Sequence, residues 1–475
     1  MHIKLLLVLF LFRAFLLPSH MFSASDLVTI DVSSVLEPLE IGRYGLGQGG
    51  LSGQPMFEAH VDAIRWLRVK LIRLFVQEYF DVYPAHGVYH WITLDRAIDT
   101  ILKTGASPLL SICIKPKTLY PQADQDKVHP TSYEEWERLI YQMVRHYNVE
   151  RKCGIRYWEV FNEPDIGEDG GCPSRFQAQD YVKYYEHTAR AIKRADPTAK
   201  VGGPALASWR SPLLKALLQH CASTGTPLDF VSWHVYNNDP LVIRRTIDSI
   251  KALLREFPQL RCETILDEWN MSLSEPRLEP GYQPSFIIDT VAHMREAGLD
   301  YAAYYHIRDY HVSERQFLRF MSFAGAMNMA NWWNLTPQYD GLFDFQGVMR
   351  PSYFAFKMLS RLNGNRLETV VTRPGVKALA AFDPEQNMMH ALVWNFAVEA
   401  PALRNIRLLI RNFPGQRCVF RRFLLDTETA SNQENDRVKV QRSATFNDTK
   451  EITDVFDLPP YGIALIVVCK LGGNS

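Results

Sequence analysis

Eight apolar segments alternate with eight amphipathic ones, and this rhythm constrains the chain of 475 residues more than any other feature. The strand candidates are Tyr44–Gly47, Leu71–Val76, Pro108–Ile114, Arg156–Phe161, Lys200–Ala205, Phe230–Tyr236, Thr264–Glu268 and Tyr301–Ile307. Helical spacing appears between them, as in Phe57, Val61, Ile64, Trp66 and Leu67, in Leu94, Ile98 and Ile101, in Trp136, Leu139, Ile140 and Met143, and in Ile243, Ile247, Ile250 and Leu254. Strands that alternate with helices are parallel, and eight of them close a barrel. We therefore expect a (β/α)8 TIM barrel over residues 41–363.

After Leu362-Asn363-Gly364 the pattern changes to short alternating runs, Ala378–Phe382, Met389–Asn395, Ile406–Ile410, Val419–Leu424 and Ala464–Val468. Turn residues separate them and helical periodicity is lost, which predicts an accessory C-terminal β-sandwich over residues 364–475 with a polar loop at Ser431–Asp436. The segment from Asp309 to Arg350, with Trp332, Trp333, Asn334 and Tyr339, is too long for a plain connector and is expected to wall a site.

Residues 1–25 begin with a basic Met1-His2-Ile3-Lys4, continue through a short apolar run interrupted by Arg13, and end in small residues near Ser23-Ala24-Ser25. That order predicts a cleaved export signal, hence a secreted or periplasmic protein with no stable membrane insertion after cleavage. Lys plus Arg and Asp plus Glu both number 52, so no basic field exists to recruit nucleic acid. The seven Cys form no C-x-x-C pair and no Cys/His cluster, so neither metal nor cofactor is expected. Cys418 with Cys469 is a candidate disulfide inside the second domain. The run Gly45-Leu46-Gly47-Gln48-Gly49-Gly50 lacks the G-x-G-x-x-G spacing and a following Lys-Ser/Thr, which excludes a phosphate loop.

Two of the strand candidates lead into carboxylates: Tyr157-Trp158-Glu159-Val160-Phe161-Asn162-Glu163-Pro164, and Ile265-Leu266-Asp267-Glu268-Trp269-Asn270. A lone Glu at a strand end is most often an ion-pair partner or a helix cap. Two of them, Glu163 and Glu268, at the mouth of one parallel sheet suit glycosidic bond hydrolysis, which needs an acid for the leaving oxygen and a carboxylate for the oxocarbenium-like centre.

These segments, with Tyr44-Gly45-Leu46-Gly47, Tyr133-Glu134-Glu135-Trp136, Gly341-Leu342-Phe343 and Arg350-Pro351-Ser352-Tyr353-Phe354-Ala355-Phe356-Lys357, resemble glycoside hydrolase family 39 over roughly residues 40 to 363. The resemblance implies a retaining enzyme, with Glu163 as general acid/base and Glu268 as nucleophile. It implies that Arg73 holds the nucleophile, that Asn162 donates to the sugar 2-hydroxyl, and that His234 and Tyr236, on one face of their strand, line the pocket. It also implies that residues 26–40 hold an N-terminal strand returning to the sandwich. Lys115 and Lys117 after the third strand, and Arg308 with Asp309 after the eighth, are further candidates. Uronidases of the family carry a basic residue just after the His234 position; Val235 and Tyr236 stand here, and Arg308 is the candidate substitute.

The substrate expected is an oligo- or polysaccharide, cleaved in the manner of an exo-acting β-xylosidase. Alternatives are an endo-acting polysaccharide hydrolase of the same clan and a catalytically silent glycan-binding protein, and a homo-oligomer is compatible with either. Asn270-Met271-Ser272, Asn334-Leu335-Thr336 and Asn447-Asp448-Thr449 match the glycosylation sequon, the first beside the expected nucleophile.

Overall fold

The computed structural model describes residues 25–49, 56–414, 417–431, 438–447 and 450–471. The expected export signal, and most of the polar loop expected at Ser431–Asp436, lie outside the described residues. Two sheets organise the chain. An N-terminal strand β1 (Asp26–Pro38) is followed by β2 (Tyr44–Gln48), β3 (Leu71–Val76), β4 (Ser107–Ile112), β5 (Tyr157–Val160), β6 (Lys200–Leu206), β7 (Phe230–Tyr236), β8 (Glu263–Asn270) and β9 (Tyr301–Tyr305). Strands β2 to β9 are parallel and close into a barrel, β9 pairing back onto β2. Helices such as Ile92–Lys103, Tyr133–Val144, Ala178–Ala195 and Tyr282–Glu296 fill the crossovers.

The second sheet contains β1 with β10 (Asn365–Val371), β11 (Val376–Asp383), β12 (Met388–Asn395), β13 (Arg404–Arg411), β14 (Arg417–Leu425), β15 (Lys439–Asn447), β16 (Glu451–Leu458) and β17 (Ile463–Lys470). Their order is β15-β14-β17-β12-β11-β10-β1-β13-β16. The sandwich is thus one sheet folded on itself. Residues of β13 and β16 share a core with residues of β12, β14 and β17, and Asp454 of β16 pairs with Arg422 of β14 and Arg442 of β15 across the fold.

The fold corrects several strand limits read from sequence. β5 stops at Val160 and β9 at Tyr305, because the chain then turns to deliver side chains into the lumen, while β8 runs on to Asn270 through pairing with β7. Strands β10, β15 and β16 were not expected from the sequence. β15 is a largely exposed edge, and in β16 the buried Asp454 replaces an apolar residue in an otherwise regular alternation. Cys418 and Cys469 are both free thiols; Cys418 pairs in register with Lys470 and Cys469 with Val419, which sets them on opposite faces of the sheet.

Period-two alternation also explains why β12 and β17 read as unbroken apolar runs. Ala391 and Val393 of β12, with Ala464 and Ile466 of β17, point into the sheet's own core. Leu392 and Trp394, with Ile463 and Leu465, join the core of the barrel. At this junction the Trp394 indole donates to Asp289 Oδ1 at 2.8 Å, on helix Tyr282–Glu296, and Lys377 pairs with the same carboxylate.

Burial alone would raise the Asp289 carboxyl, but His293, Lys377 and Trp394 outweigh it and hold it below the ordinary carboxylate range. A depressed folded pKa stabilises above the unfolded value and is lost as pH falls through the folded one. Asp289→Ala should therefore lower the stability of the folded chain at neutral pH by about 2 kcal/mol. In urea unfolding the gap between variant and parent should close in strong acid; an equal gap at every pH would show that the loss is packing alone.

Candidate active site

The barrel lumen is layered because side chains on a strand share a face every second residue. Leu71, Leu109, Tyr157, Phe230 and Ile265, with Tyr301, form an apolar layer at the N-terminal end. Two residues further along the strands the lumen turns polar, with Arg73, Ser111, Glu159, Ser232 and Asp267, all buried. Above them, at the C-terminal ends, stand Asn162, Glu163, His234, Tyr236 and Glu268.

Two backbone irregularities build the upper layer. Past Val160 the chain leaves the strand, with Phe161 at φ 77° and Glu163 at φ 46°, left-handed conformations that cost a non-glycine residue about 1–3 kcal/mol each. Hydrogen bonds from Phe161 N–H to Ile112 O and from Glu163 N–H to Ala205 O hold the corkscrew. On β8, Trp233 pairs with Leu266 but His234 pairs with Glu268, so Asp267 is the extra residue of a β-bulge. A regular strand sends consecutive side chains to opposite faces; the bulge lets Asp267 and Glu268 both reach the lumen.

Arg73 lies at the centre, 1% exposed. Its Nε is 2.8 Å from Glu159 Oε2 and 2.9 Å from Asp267 Oδ2; Nη1 is 3.1 Å from Glu268 Oε2; Nη2 donates to Asn162 Oδ1 at 2.6 Å. Burial works against its charge, but Asp267, Glu159 and Glu268 outweigh burial and keep the guanidinium protonated. With its oxygen taken by Arg73, Asn162 donates one amide hydrogen to Cys172 Sγ at 3.3 Å and has the other left for the cavity side.

Glu163 Oε1 is 2.8 Å from His234 Nδ1, and the other imidazole nitrogen is 3.5 Å from Asp267 Oδ2 and 3.8 Å from Glu268 Oε2. Burial would discharge His234, yet Glu268, Asp267 and Glu163 raise it well above its ordinary value, so it stands as an imidazolium. Glu268 accepts from the Tyr236 hydroxyl on Oε1 and from Arg73 on Oε2. Burial first, and Glu163 next to it, raise Glu268 above the ordinary carboxylate value; His234, Arg73 and Tyr236 pull the other way. Oxygens of Glu163 and Glu268 come within 4.8 Å of each other, with a nitrogen of His234 inside the same limit. That trio has metal-like spacing, but its donors are engaged by two buried cations and a hydroxyl, an arrangement that repels a metal ion.

These carboxylates open into a cavity of about 530 Å³ whose walls include Phe75, Tyr305, Tyr310, Trp332 and Trp333. The expectation that the segment after the eighth strand walls the site is met by helix Phe323–Leu335, which supplies both Trp. Ser322 caps this helix and donates through N–H and Oγ to Glu168, at 2.6 and 2.5 Å. Glu168 belongs to the loop Gly167–Gly171, which lines the cavity and packs against Glu163. A Cβ at Gly170 would sit 2.9 Å from Glu163 Cδ and still closer to Oε2, so any larger residue there must displace the Glu163 carboxyl.

The structure thus brings Arg73, Asn162, Glu163, His234, Tyr236 and Glu268 together, and leaves four expected residues out. Lys115 is buried away from the cavity, donating to Asp124 O and Pro173 O at 2.6 and 3.1 Å, with burial lowering it to about 8. Arg308 donates to Met56 O and Phe345 O at 3.1 and 2.9 Å and braces the loops instead of facing a ligand. Lys117 is exposed, and Asp309 is buried in a pair with Arg350. Asn270 is fully buried and donates to Tyr305 O, so the sequon at its position is not a glycan acceptor. Sequence reasoning missed Glu159 and Asp267; period two counted on from Tyr157, which faces the lumen, places Glu159 there.

Two curated relatives are β-xylosidases. The one from Caldicellulosiruptor saccharolyticus is 26% identical over 363 residues, 70% of this chain and 69% of that protein, and the one from Geobacillus stearothermophilus is 26% identical over 349 residues, 66% and 62%. Among solved structures, the GH39 enzyme from Xanthomonas axonopodis pv. citri superposes with a TM-score of 0.77 at 19% identity, covering 96% of this chain and 99% of that one, which shows a shared fold. Residues 60–437 match the profile of Glycosyl hydrolases family 39, and the chain belongs to that family of glycoside hydrolases.

Proposed function

We propose that this protein is a retaining, exo-acting glycosidase of β-xylosidase type, with Glu268 as nucleophile and Glu163 as general acid/base. The observation that carries the reading is the spacing of the two carboxylates. Oxygens within 4.8 Å leave no room for a water between carboxylate and sugar, whereas inverting enzymes separate their carboxyl groups by about 6.5–9.5 Å. Glu268 attacks the anomeric carbon as the bond to the leaving oxygen breaks, and that oxygen takes the Glu163 proton. In the second half Glu163 takes a proton from water, the water oxygen attacks the anomeric carbon, and Glu268 leaves as a carboxylate. Arg73 and Tyr236 hold the nucleophile, and the Asn162 amide faces the sugar hydroxyl beside the reacting carbon, where a hydrogen bond strengthens in the transition state.

A neutral sugar fits the cavity better than a uronate. Among the described residues no Lys or Arg lines it, while Glu163, Asp169 and Glu268 do. The volume falls within the ~300–1,000 Å³ of small-ligand sites, and the β-xylosidase relatives point to a pentopyranoside. Export directed by residues 1–25 belongs to the same proposal, since a polymer substrate lies outside the cell; N-terminal sequencing of secreted protein should find a start near residue 25.

Aryl xylosides should outrank aryl iduronides as substrates, and the reverse order would move the protein to the uronidases. Glu268→Ala should abolish turnover on every substrate. Glu163→Ala should still be glycosylated by dinitrophenyl glycosides, stall, and release a glycosyl azide of retained configuration when azide is added. An inverted azide product would reverse the assigned roles.

Gly170→Ala should displace the Glu163 carboxyl without touching Glu268. The expected loss is about 10²-fold or more on alkyl glycosides, whose leaving group needs the proton, and far less on dinitrophenyl glycosides. Equal losses on both substrates would mean that the loop does not position the acid.

A further inference from the structure

Beneath the two cavity carboxylates lie two more that the reaction does not use. Glu159 on β5 and Asp267 on β8 are fully buried and converge on the Arg73 Nε, at 2.8 and 2.9 Å, with Glu159 Oε2 also 2.7 Å from Nη2. Glu159 Oε1 and both Asp267 oxygens lack a well-directed hydrogen-bond donor. The groups facing the pair are Arg73 from β3, Cys113 just past β4, Ser232 and His234 from β7, and Tyr181 from helix Ala178–Ala195. Of these only Arg73 and His234 carry positive charge.

Charge counting then decides the state of the pair. A double displacement begins with Glu163 protonated and Glu268 ionised. If both lower acids were also ionised, three negative charges would face two positive ones with almost no solvent to absorb the excess. Two ionised carboxylates meeting at one guanidinium would also repel each other across a low dielectric.

We propose that Glu159 and Asp267 share one proton, forming a positioning pair that holds a single negative charge beneath Arg73 and His234. The pair keeps the buried site neutral as the reaction moves charge from Glu268 to Glu163. In the resting site Asp267 and Glu268 balance the two cations; in the glycosyl-enzyme Glu268 is esterified and neutral, and the ionised Glu163 takes over its charge. Burial accounts for the position of the proton: against the pull of Arg73 and helped by Asp267, it lifts Glu159 to about 8. Asp267 stays low because Arg73 and His234 outweigh its burial.

The kinetic half of the test rests on the double-displacement reading; the spectroscopic half does not. Glu159→Gln and Asp267→Asn are isosteric, and each leaves the other acid free to carry the one negative charge. Each should lose less than about tenfold in kcat/KM, the equivalent of one pKa unit, while the double variant should lose about 100-fold more than the product of the two. A double variant that shows only the product, or a single variant as damaged as the double, would overturn the proposal. In infrared difference spectra at neutral pH, Glu163→Gln minus Glu163→Gln/Glu159→Gln should show the carbonyl stretch of one protonated carboxylic acid. Absence of that band in folded protein would overturn the shared proton whether or not the enzyme turns over any glycoside.

Discussion

The cation of Arg73 is the interaction on which the rest of the site depends. It enters the lumen just above the apolar layer, where an unpaired charge would be prohibitive, and reaches Glu159, Asp267, Glu268 and Asn162 through three different nitrogens. A lysine has one ammonium and could not serve four acceptors on three strands or loops, whereas the planar guanidinium fixes the angles between them. The acids in turn keep Arg73 charged. This mutual dependence offsets burial at Glu268, which is only 7% exposed, and the same cation fixes the Asn162 amide so that one of its hydrogens is left for the cavity.

Regular barrel geometry would not suffice to build this site. Strand periodicity delivers one side chain per strand per layer, and two consecutive carboxylates on one face require the extra residue at Asp267. Asn162 and Glu163 can both face inward only because Phe161 and Glu163 take left-handed conformations. The apolar layer beneath and the helices outside supply the stability that holds these irregular segments, an economy in which strain is concentrated where geometry matters.

The barrel was legible because each of its strands is buried on both sides and therefore reads as an apolar run between polar turns. Glu163 and Glu268 were legible because they follow such runs. Glu159 and Asp267 were not, since acids inside an apolar run look like isolated exceptions until the lumen register shows them converging on Arg73. Lys115 and Arg308 misled for the opposite reason: a basic residue after a barrel strand faces either the cavity or the loops, and sequence does not distinguish the two. In the second sheet, β16 was hidden by the buried Asp454, whose partners lie on strands far away in sheet order. What sequence conceals is therefore mostly buried charge, because its partner lies elsewhere in the chain.

One long-range joint ties the aromatic wall to the Glu163 carboxyl. The segment 309–350 that supplies the aromatic wall is remote in sequence from Glu163, yet Glu168 accepts from Ser322 at the start of the wall helix, and Met329 of that helix packs on Gly171. The loop held in this way is the one whose Gly170 abuts the Glu163 carboxyl. Wall and acid are thus two ends of one rigid unit. A change in this family member that reshapes the wall must keep the Glu168–Ser322 contact, or it will move the Glu163 carboxyl along with the wall. That constraint confines variation to the residues of the helix that face the cavity, such as Asn328, Trp332 and Trp333, and leaves its N-terminus fixed.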